Sequence, residues 1–219
     1  MLKLPKAIVF DWDSTLAQTR QTVVAALEQT LKYYNMPPWE QTKKLRKPML
    51  SLKDNFPLIF GEKSDEAYDY YLSVYQVELT RPSVGAERFL ALCKGLNIGC
   101  YIVSNKEKAL LLREVKQCFT GFVFDKILGY GDAVENKPSA EPVFFALKDT
   151  KIDINPYNVW LIGDSLPDTE CASQANVQAI IIGHNIKYQA YLEQKMSAEP
   201  PLIMVESFDD ITQMVKELK

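Results

Sequence analysis

The sequence has no long apolar run. Stretches such as Ala7–Phe10 and Ala179–Ile182 have the length of strands, whereas a helix that spans a membrane needs roughly 18 apolar residues. At the N-terminus a short apolar stretch leads straight into Asp11, so the pattern of a secretory signal peptide is missing. We therefore expect a cytoplasmic protein with no membrane partner.

Paired cysteines and an excess of positive charge are also missing. Cys93, Cys100, Cys118 and Cys171 show neither a C-x-x-C pair nor a zinc-ligand spacing, which favours reduced thiols over a disulfide framework. Lys and Arg total 25 against 28 Asp and Glu, a net charge of −3, so a nucleic-acid partner is not expected. The single histidine, His184, follows Gly183 in a loop segment, where such a side chain is usually solvated.

The chain is an ordinary globular sequence, and its strands and helices alternate. Its 219 residues exceed one domain of roughly 150 residues and fall short of two, so we expect either one large domain or a core with a smaller insert. Apolar runs followed by helical periodicity predict a parallel α/β sheet of the Rossmann-like type, with helices on both faces. The predicted strands are Ala7–Phe10, Ile98–Val103, Phe122–Leu128, Val159–Ile162, Val177–Ile182 and Leu202–Val205. The predicted helices are Lys106–Cys118, Ala140–Thr150, Pro167–Asn176, Lys187–Lys195 and Phe208–Leu218.

One long segment interrupts this alternation. About 90 residues separate the first two strands, far more than a plain crossover needs. Helical spacing within the segment predicts helices over Gln18–Tyr34 and Ser64–Leu79, with Ser64 as the N-terminal cap of the second. A tyrosine stripe on the second helix favours a packing face over a nucleobase platform; it comprises Tyr68, Tyr71 and Tyr75. The predicted division is a core domain of residues 1–15 and 83–219 and a helical cap of residues 16–82.

Polar side chains follow the predicted strands at the point where each strand ends. Ligands of doubly wound sheets bind outside these carboxyl ends, so we expect the side chains to meet at one edge. Asp11, Asp13 and Thr15 follow the first strand, Ser104 and Asn105 the second, Lys137 the third, and Asp164 and Asp168 the fourth.

These residue types predict phosphoryl chemistry. Carboxylates that face one another repel unless a cation lies between them, and oxygen ligands favour Mg²⁺. A lysine at the same edge indicates an anionic partner such as a phosphate. In Asp11-Trp12-Asp13, one carboxylate can attack phosphorus while the second serves as general acid and base. Trp12 itself is expected to point away from the two acids and to pack in the interior.

Taken in order, these motifs resemble the haloacid dehalogenase superfamily, in its capped phosphatase branch near the phosphoglycolate phosphatases. The matching segments are Asp11-Trp-Asp13-Ser-Thr15, Ser104-Asn105, Lys137-Pro138 and Gly163-Asp164-Ser165-x-x-Asp168. The resemblance extends from Ile8 to about Gly183. One residue departs from the pattern, because Ser14 occupies a position where the family usually has glycine, so the loop there must accept a Cβ.

The resemblance implies a role for each matching residue. Asp11 would be the nucleophile that forms an aspartyl-phosphate, and Asp13 the general acid and base. Mg²⁺ would bind Asp11, Asp164 and the backbone carbonyl of Asp13. The phosphate would be held by Thr15, Ser104 and Lys137, with Asn105 supporting their loop. Asp168 would orient Lys137 or a water on the metal.

Several alternatives remain open from the residues alone. Asp13 favours ester hydrolysis because a leaving alkoxide needs a proton, but a sugar phosphomutase uses the same motifs, and a non-catalytic binding protein keeps the same fold. A phospho-acceptor signalling domain fits less well, because it has no use for a cap.

The expected partner is a small phosphorylated metabolite. Arg46 and Lys53 are candidates to bind a second anionic group, although a basic run such as Lys43–Lys47 is usually a solvated helix face. Oligomeric state is left open.

Overall fold

In the computed structural model, which describes residues 2–183 and 200–219, a parallel sheet forms the centre of the molecule. The sheet contains six strands: β1 (Ala7–Phe10), β4 (Gly99–Val103), β5 (Lys126–Leu128), β6 (Val159–Gly163), β7 (Gln178–Ile182) and β8 (Ile203–Val205). They lie in the order β5-β4-β1-β6-β7-β8. Since β1 pairs with both β4 and β6, the residues after β1 lie between the two neighbouring strand ends.

Helices cover both faces of this sheet, as the apolar strands predict. They are α5 (Ala86–Gly95), α6 (Lys108–Cys118), α7 (Glu141–Leu147), α8 (Leu166–Gln174) and α9 (Phe208–Glu217). Alternate residues of β1 enter separate hydrophobic clusters: Ile8 and Phe10 belong to one, and Ala7 and Val9 to the other. The α/β Rossmann-like prediction is confirmed.

A helical segment is inserted between two short strands that pair antiparallel, β2 (Ala17–Gln18) and β3 (Arg81–Pro82). Its helices are α1 (Arg20–Tyr33), α2 (Trp39–Thr42), α3 (Leu52–Phe60) and α4 (Ser64–Val74). They enclose a third hydrophobic cluster, which includes the tyrosine stripe, with Tyr68 and Tyr71 on α4 and Tyr75 directly after it. The stripe is therefore a packing face, as predicted. We call residues 19–80 the helical insert.

Several predicted boundaries are wrong. Ser64 is the first residue of α4 rather than its cap, and the helix ends at Val74 instead of Leu79 because Tyr75 turns to an extended conformation. The third core strand is short, since Phe122 and Phe124 pack into the core cluster and only Lys126–Leu128 pairs with β4. Helices α2, α3 and α5 were not predicted. The predicted helix Lys187–Lys195 and His184 lie outside the described residues.

Among residues 2–183 and 200–219, every helix is too short or too polar to cross a membrane. All four cysteines are buried and unpaired.

Candidate active site

Asp11 lies at the carboxyl end of the central strand β1. Its backbone N–H donates to the carbonyl of Ile162 on β6 at 2.8 Å, which extends the strand pairing by one residue. The side chain is buried, and Oδ2 accepts a hydrogen bond from the hydroxyl of Thr15 at 3.3 Å. A carboxylate is thus presented at the strand edge in a position fixed by the sheet itself.

The loop after Asp11 turns back tightly. The N–H of Ser14 donates to the carbonyl of Ala17 at 2.8 Å, and Ser14 has a φ of 63°. This left-handed conformation explains why glycine is usual here, since a Cβ costs roughly 1–2 kcal/mol in that region. Ser14 is exposed, so its Cβ points to solvent and the turn forms with serine in place.

Lys137 joins two of the predicted acids. Its Nζ lies 2.5 Å from Oδ1 of Asp11 and 2.6 Å from Oδ1 of Asp168. All three side chains are buried. The backbone of Lys137 is held by the Asn105 side chain, which donates to its carbonyl at 2.7 Å and accepts from its N–H at 3.0 Å. Asn105 therefore fixes the loop that presents the lysine.

The N-terminus of α8 fixes Asp168 from the other side. Asp168 Oδ2 accepts hydrogen bonds from the hydroxyl of Ser165 and, at 3.1 Å, from its backbone N–H. The serine and the aspartate form a capping box. One carboxylate oxygen thus closes the helix and the other orients Lys137.

Asp11, Asp164 and Asp168 form an acidic cluster, with one carboxylate oxygen from each lying within 4.8 Å of the others. Burial, more than the neighbouring acids, raises the pKa of Asp11 to about 7, although Lys137 opposes the rise. Burial also raises the pKa of Asp164 well above its usual value, with Asp11 adding to the effect. Carboxylates with raised pKa values lack a neutralising positive charge, and a hard divalent cation bound to their oxygens would supply it.

Lys137 experiences opposing effects. Burial alone would lower its pKa, but the carboxylates of Asp11 and Asp168 outweigh that effect and raise the pKa above its usual value. The ammonium group therefore stays charged at neutral pH and offers positive charge next to Asp11.

The side chain of Asp13 does not belong to the acidic cluster. Its Oδ1 lies 2.7 Å from Nζ of Lys106. The same ammonium lies 3.1 Å from Oε2 of Glu114, whose side chain is fully buried. Asp13 thus belongs to a second charged group, with Lys106 and Glu114, beside the group that contains Asp11. The two acids of the Asp-x-Asp motif therefore pair with different lysines.

Sequence reasoning missed Lys106 and Glu114. A signal for Glu114 was present, because it lies among the core-facing residues of α6, where a carboxylate needs a partner; the others are Leu110, Leu111, Val115 and Cys118. Lys106 directly follows the Ser104-Asn105 motif. Trp12 is buried and packs against Phe119, as predicted, and its indole N–H also donates to Glu114 at 2.7 Å.

Ser104 lies at the same edge, at the end of β4. It is buried, its N–H donates to the carbonyl of Leu128 at 3.0 Å, and its hydroxyl accepts from the N–H of Lys106 at 3.2 Å. The structure thus brings all eight predicted core residues to adjacent strand ends. Their assigned roles stay predictions.

The two predicted insert residues have different surroundings. Nζ of Lys53 lies 5.4 Å from the ring centroid of Tyr68 and 5.1 Å from that of Tyr130, a residue of the core loop after β5. Tyr130 also donates to Asp54 at 2.6 Å, so Lys53 lies where insert and core meet. Arg46 lies over Trp39 of the insert, 5.8 Å from its ring centroid.

Known proteins resemble this chain over nearly its whole length. The family described as haloacid dehalogenase-like hydrolase matches residues 8–182. The pyrophosphatase PpaX of Oceanobacillus iheyensis is 27% identical over 94% of this chain and 95% of its own. The phosphoglycolate phosphatase of Neisseria meningitidis is 27% identical over 91% and 89%. Among solved structures, a predicted phosphoglycolate phosphatase from Haemophilus somnus superposes with a TM-score of 0.78 at 18% identity, covering 98% of this chain and 99% of that one.

Proposed function

Because the chain belongs to the haloacid dehalogenase-like hydrolases and is a hydrolase of phosphate esters, we propose that it is a Mg²⁺-dependent phosphatase acting through an aspartyl-phosphate. Its substrate would be a small-molecule phosphomonoester, and its nucleophile Asp11. The observation that carries the proposal is the buried Asp11 carboxylate, held 2.5 Å from Lys137 with Asp164 and Asp168 around it.

The proposed reaction uses the two aspartates in turn. A carboxylate oxygen of Asp11 attacks phosphorus, the bond from phosphorus to the leaving oxygen breaks, and Asp13 gives its proton to that oxygen. Water then attacks phosphorus of the acyl-phosphate while Asp13 takes a proton from it, and the bond to Asp11 breaks. The positive charge of Lys137 lessens the repulsion between an anionic nucleophile and a phosphate.

Asp11, Asp164 and the backbone carbonyl of Asp13 would hold Mg²⁺. When bound, the ion would supply positive charge that offsets the carboxylates of Asp11 and Asp164 and the charge of a phosphate dianion. Asp168, whose two oxygens already accept from Lys137 and Ser165, would support the site rather than bind the ion. Ser104 would donate its hydroxyl hydrogen bond to a phosphate oxygen, and Thr15 would do the same by turning its hydroxyl away from Asp11.

The first experiment is a hydrolysis screen over phosphomonoesters with and without Mg²⁺. We expect release of phosphate that depends on Mg²⁺ and is abolished in Asp11→Asn, which keeps the shape of the side chain and removes the nucleophile. Turnover that survives this substitution would overturn the mechanism. Phosphate that moves to another position of the same sugar, instead of entering solution, would indicate a phosphomutase.

We propose that the helical insert is a cap that selects the leaving group, with the chain divided into a cap of residues 16–82 and a core of residues 1–15 and 83–219. Lys53 lies at the contact between the two and would bind a second anionic group of the substrate, with Arg46 as a further candidate. The buried, unpaired cysteines fit a reducing compartment such as the cytoplasm.

Substituting Lys53 tests this specificity. Lys53→Ala should raise KM for phosphoglycolate by about tenfold, the effect of one lost ion pair, and leave KM for p-nitrophenyl phosphate unchanged. Arg46→Ala is measured in the same way. Lys63→Ala is the matched control, because Lys63 is also an exposed insert lysine over a tyrosine, Tyr34. Equal changes with both substrates would contradict the assignment.

A further inference from the structure

We propose that Lys106 is a positioning residue for Asp13, and that buried Glu114 couples this position to the helical insert. The inference rests on the proposed function, because it concerns the residue that protonates the leaving oxygen. It assigns a role in the reaction to Lys106 and Glu114, which lie outside the four matching motifs.

The pairing of Lys106 with Asp13 is asymmetric in exposure. The Lys106 side chain is 5% exposed, whereas Asp13 is 38% exposed. A buried cation thus holds Oδ1 of a carboxylate that remains open to the strand edge where substrate would bind. Because the lysine is immobilised by burial, it can restrict the rotation of the more exposed acid.

Lys106 is itself held by three neighbouring oxygens. Its ammonium group donates to Oδ1 of Asp13 at 2.7 Å and to the hydroxyl of Tyr75 at 3.2 Å, and it forms an ion pair with Oε2 of Glu114 at 3.1 Å. A buried ammonium held by several oxygens has one favoured position. Displacing any of these oxygens therefore shifts the group that faces Asp13.

Glu114 is fixed by donors on both oxygens. Oε2 forms an ion pair with Lys106 and accepts a hydrogen bond from the indole N–H of Trp12 at 2.7 Å. Oε1 accepts from the hydroxyl of Tyr75 at 2.7 Å and from that of Thr80 at 2.8 Å. A fully buried carboxylate requires such compensation, so its location depends on these partners.

Two of those partners belong to the last residues of the insert, where the chain returns to the core. Tyr75 directly follows α4, and Thr80 directly precedes β3. Movement of the insert on its two connections would move the hydroxyls that hold Glu114 and Lys106. The orientation of Asp13 is thereby linked to the position of the insert, on which leaving-group selection depends.

If the ion pair between Lys106 and Glu114 were purely structural, removing it would slow the hydrolysis of all substrates alike. If Lys106 positions Asp13, the loss of activity depends on how much the leaving oxygen needs a proton. An alkyl phosphate needs general acid assistance to leave, whereas p-nitrophenolate is a good leaving group and needs little. The test compares kcat/KM for these two substrates, because kcat/KM includes the step that breaks the ester bond.

We expect Lys106→Met to lower kcat/KM for an alkyl phosphate by about 10²-fold, within the range of general acid catalysis, and for p-nitrophenyl phosphate by less than about threefold. Lys106→Arg should restore most of the alkyl activity. Lys108→Met is the matched control: Lys108 lies two residues on, ion-paired to Asp132 at 2.5 Å, and should show no difference between substrates.

A second variant covers the case in which the lysine substitution prevents folding. The double variant Lys106→Met, Glu114→Gln leaves no unpaired buried charge and should show the same selective loss. In an Asp13→Asn background, Lys106→Met should cause no further loss in the single-turnover rate of phosphoenzyme formation from the alkyl phosphate. Equal losses with both substrates, or an undiminished loss without Asp13, would overturn the inference. A wild type without phosphatase activity would instead overturn the proposed function.

Discussion

The two aspartates of the Asp-x-Asp motif lie in charged groups of the same kind with different surroundings. Asp11 pairs with Lys137 and Asp168, and Asp13 pairs with Lys106 and Glu114. In each group a buried lysine lies between the motif acid and a fully buried carboxylate. We call these the nucleophile triad and the acid triad.

The triads differ in exposure and in what holds them. The nucleophile triad lies between the end of β1 and the start of α8, both in the core, and the side chain of Asp11 is 9% exposed. The acid triad accepts two of its hydrogen bonds from Tyr75 and Thr80 of the insert, and its aspartate is 38% exposed. The nucleophile Asp11 needs one fixed position. Asp13, which acts in both steps of the proposed reaction, benefits from coupling to the helical insert, which we propose selects the leaving group.

The largest predicted effect separates the two lysines. Lys137→Met should lower kcat/KM by about 10³-fold for alkyl and aryl phosphates alike, because removing the cation leaves Asp11 facing Asp168 without the positive charge that attack on a phosphate requires. Lys126→Met is the control, since Lys126 forms an exposed ion pair with Asp149 at 2.8 Å. A loss of kcat/KM confined to alkyl phosphates would contradict the proposed difference between the two triads.

Asp168→Asn should have the next largest effect. An asparagine side chain has one acceptor oxygen, so its NH₂ group must face either Lys137 or the Ser165 N–H. We therefore expect the free energy of unfolding to fall by roughly 3 kcal/mol and kcat/KM to fall by about 10²-fold. Asp210→Asn is a matched control, because Ser207 and Asp210 form the same capping box on α9. It should cost only about 1 kcal/mol. Urea denaturation measures both, and similar values would contradict the coupling to Lys137.

The pKa of Asp11 predicts how stability depends on pH. Since burial raises this pKa to about 7 from 3.8, the folded protein binds more protons than the unfolded chain between these values. The contribution of Asp11 to the free energy of unfolding therefore falls as pH rises from 4 to 7. Urea denaturation in a chelator should show wild type losing stability relative to Asp11→Asn over this window. A constant difference would contradict the raised pKa.

Much of the nucleophile triad could be predicted from the sequence. Asp11, Lys137 and Asp168 follow or precede recognisable strands and helices, and the edge of a parallel sheet brings such residues together. Helix α5 and the partners of the acid triad could not be predicted in this way. Lys106 and Glu114 meet Asp13 only after α6 packs beside the insert. The hydrogen bonds that Tyr75 and Thr80 donate to Glu114 depend on where α4 ends. The helical periodicity predicted that end at Leu79, whereas the helix ends at Val74.

The smallest predicted effect concerns the loop that joins the triads. Ser14→Gly should raise the free energy of unfolding by about 1 kcal/mol, because glycine adopts the positive φ of 63° without the cost of a Cβ. Asn97 also has a positive φ, 56°, and Asn97→Gly reports the same backbone effect away from the site. If Ser14→Gly alone also lowers kcat/KM, the serine side chain contributes to the position of the two acids.

Chemical trapping of the intermediate tests the central claim most directly. An Asp13→Asn enzyme incubated with p-nitrophenyl phosphate and Mg²⁺ should release p-nitrophenolate in a burst and then accumulate phosphoenzyme, because the proton acceptor for the second step is missing. Acid quenching and peptide mass spectrometry should place the phosphate on Asp11. Phosphate on another residue, or a burst without any phosphorylated peptide, would contradict the assignment of Asp11 as the nucleophile.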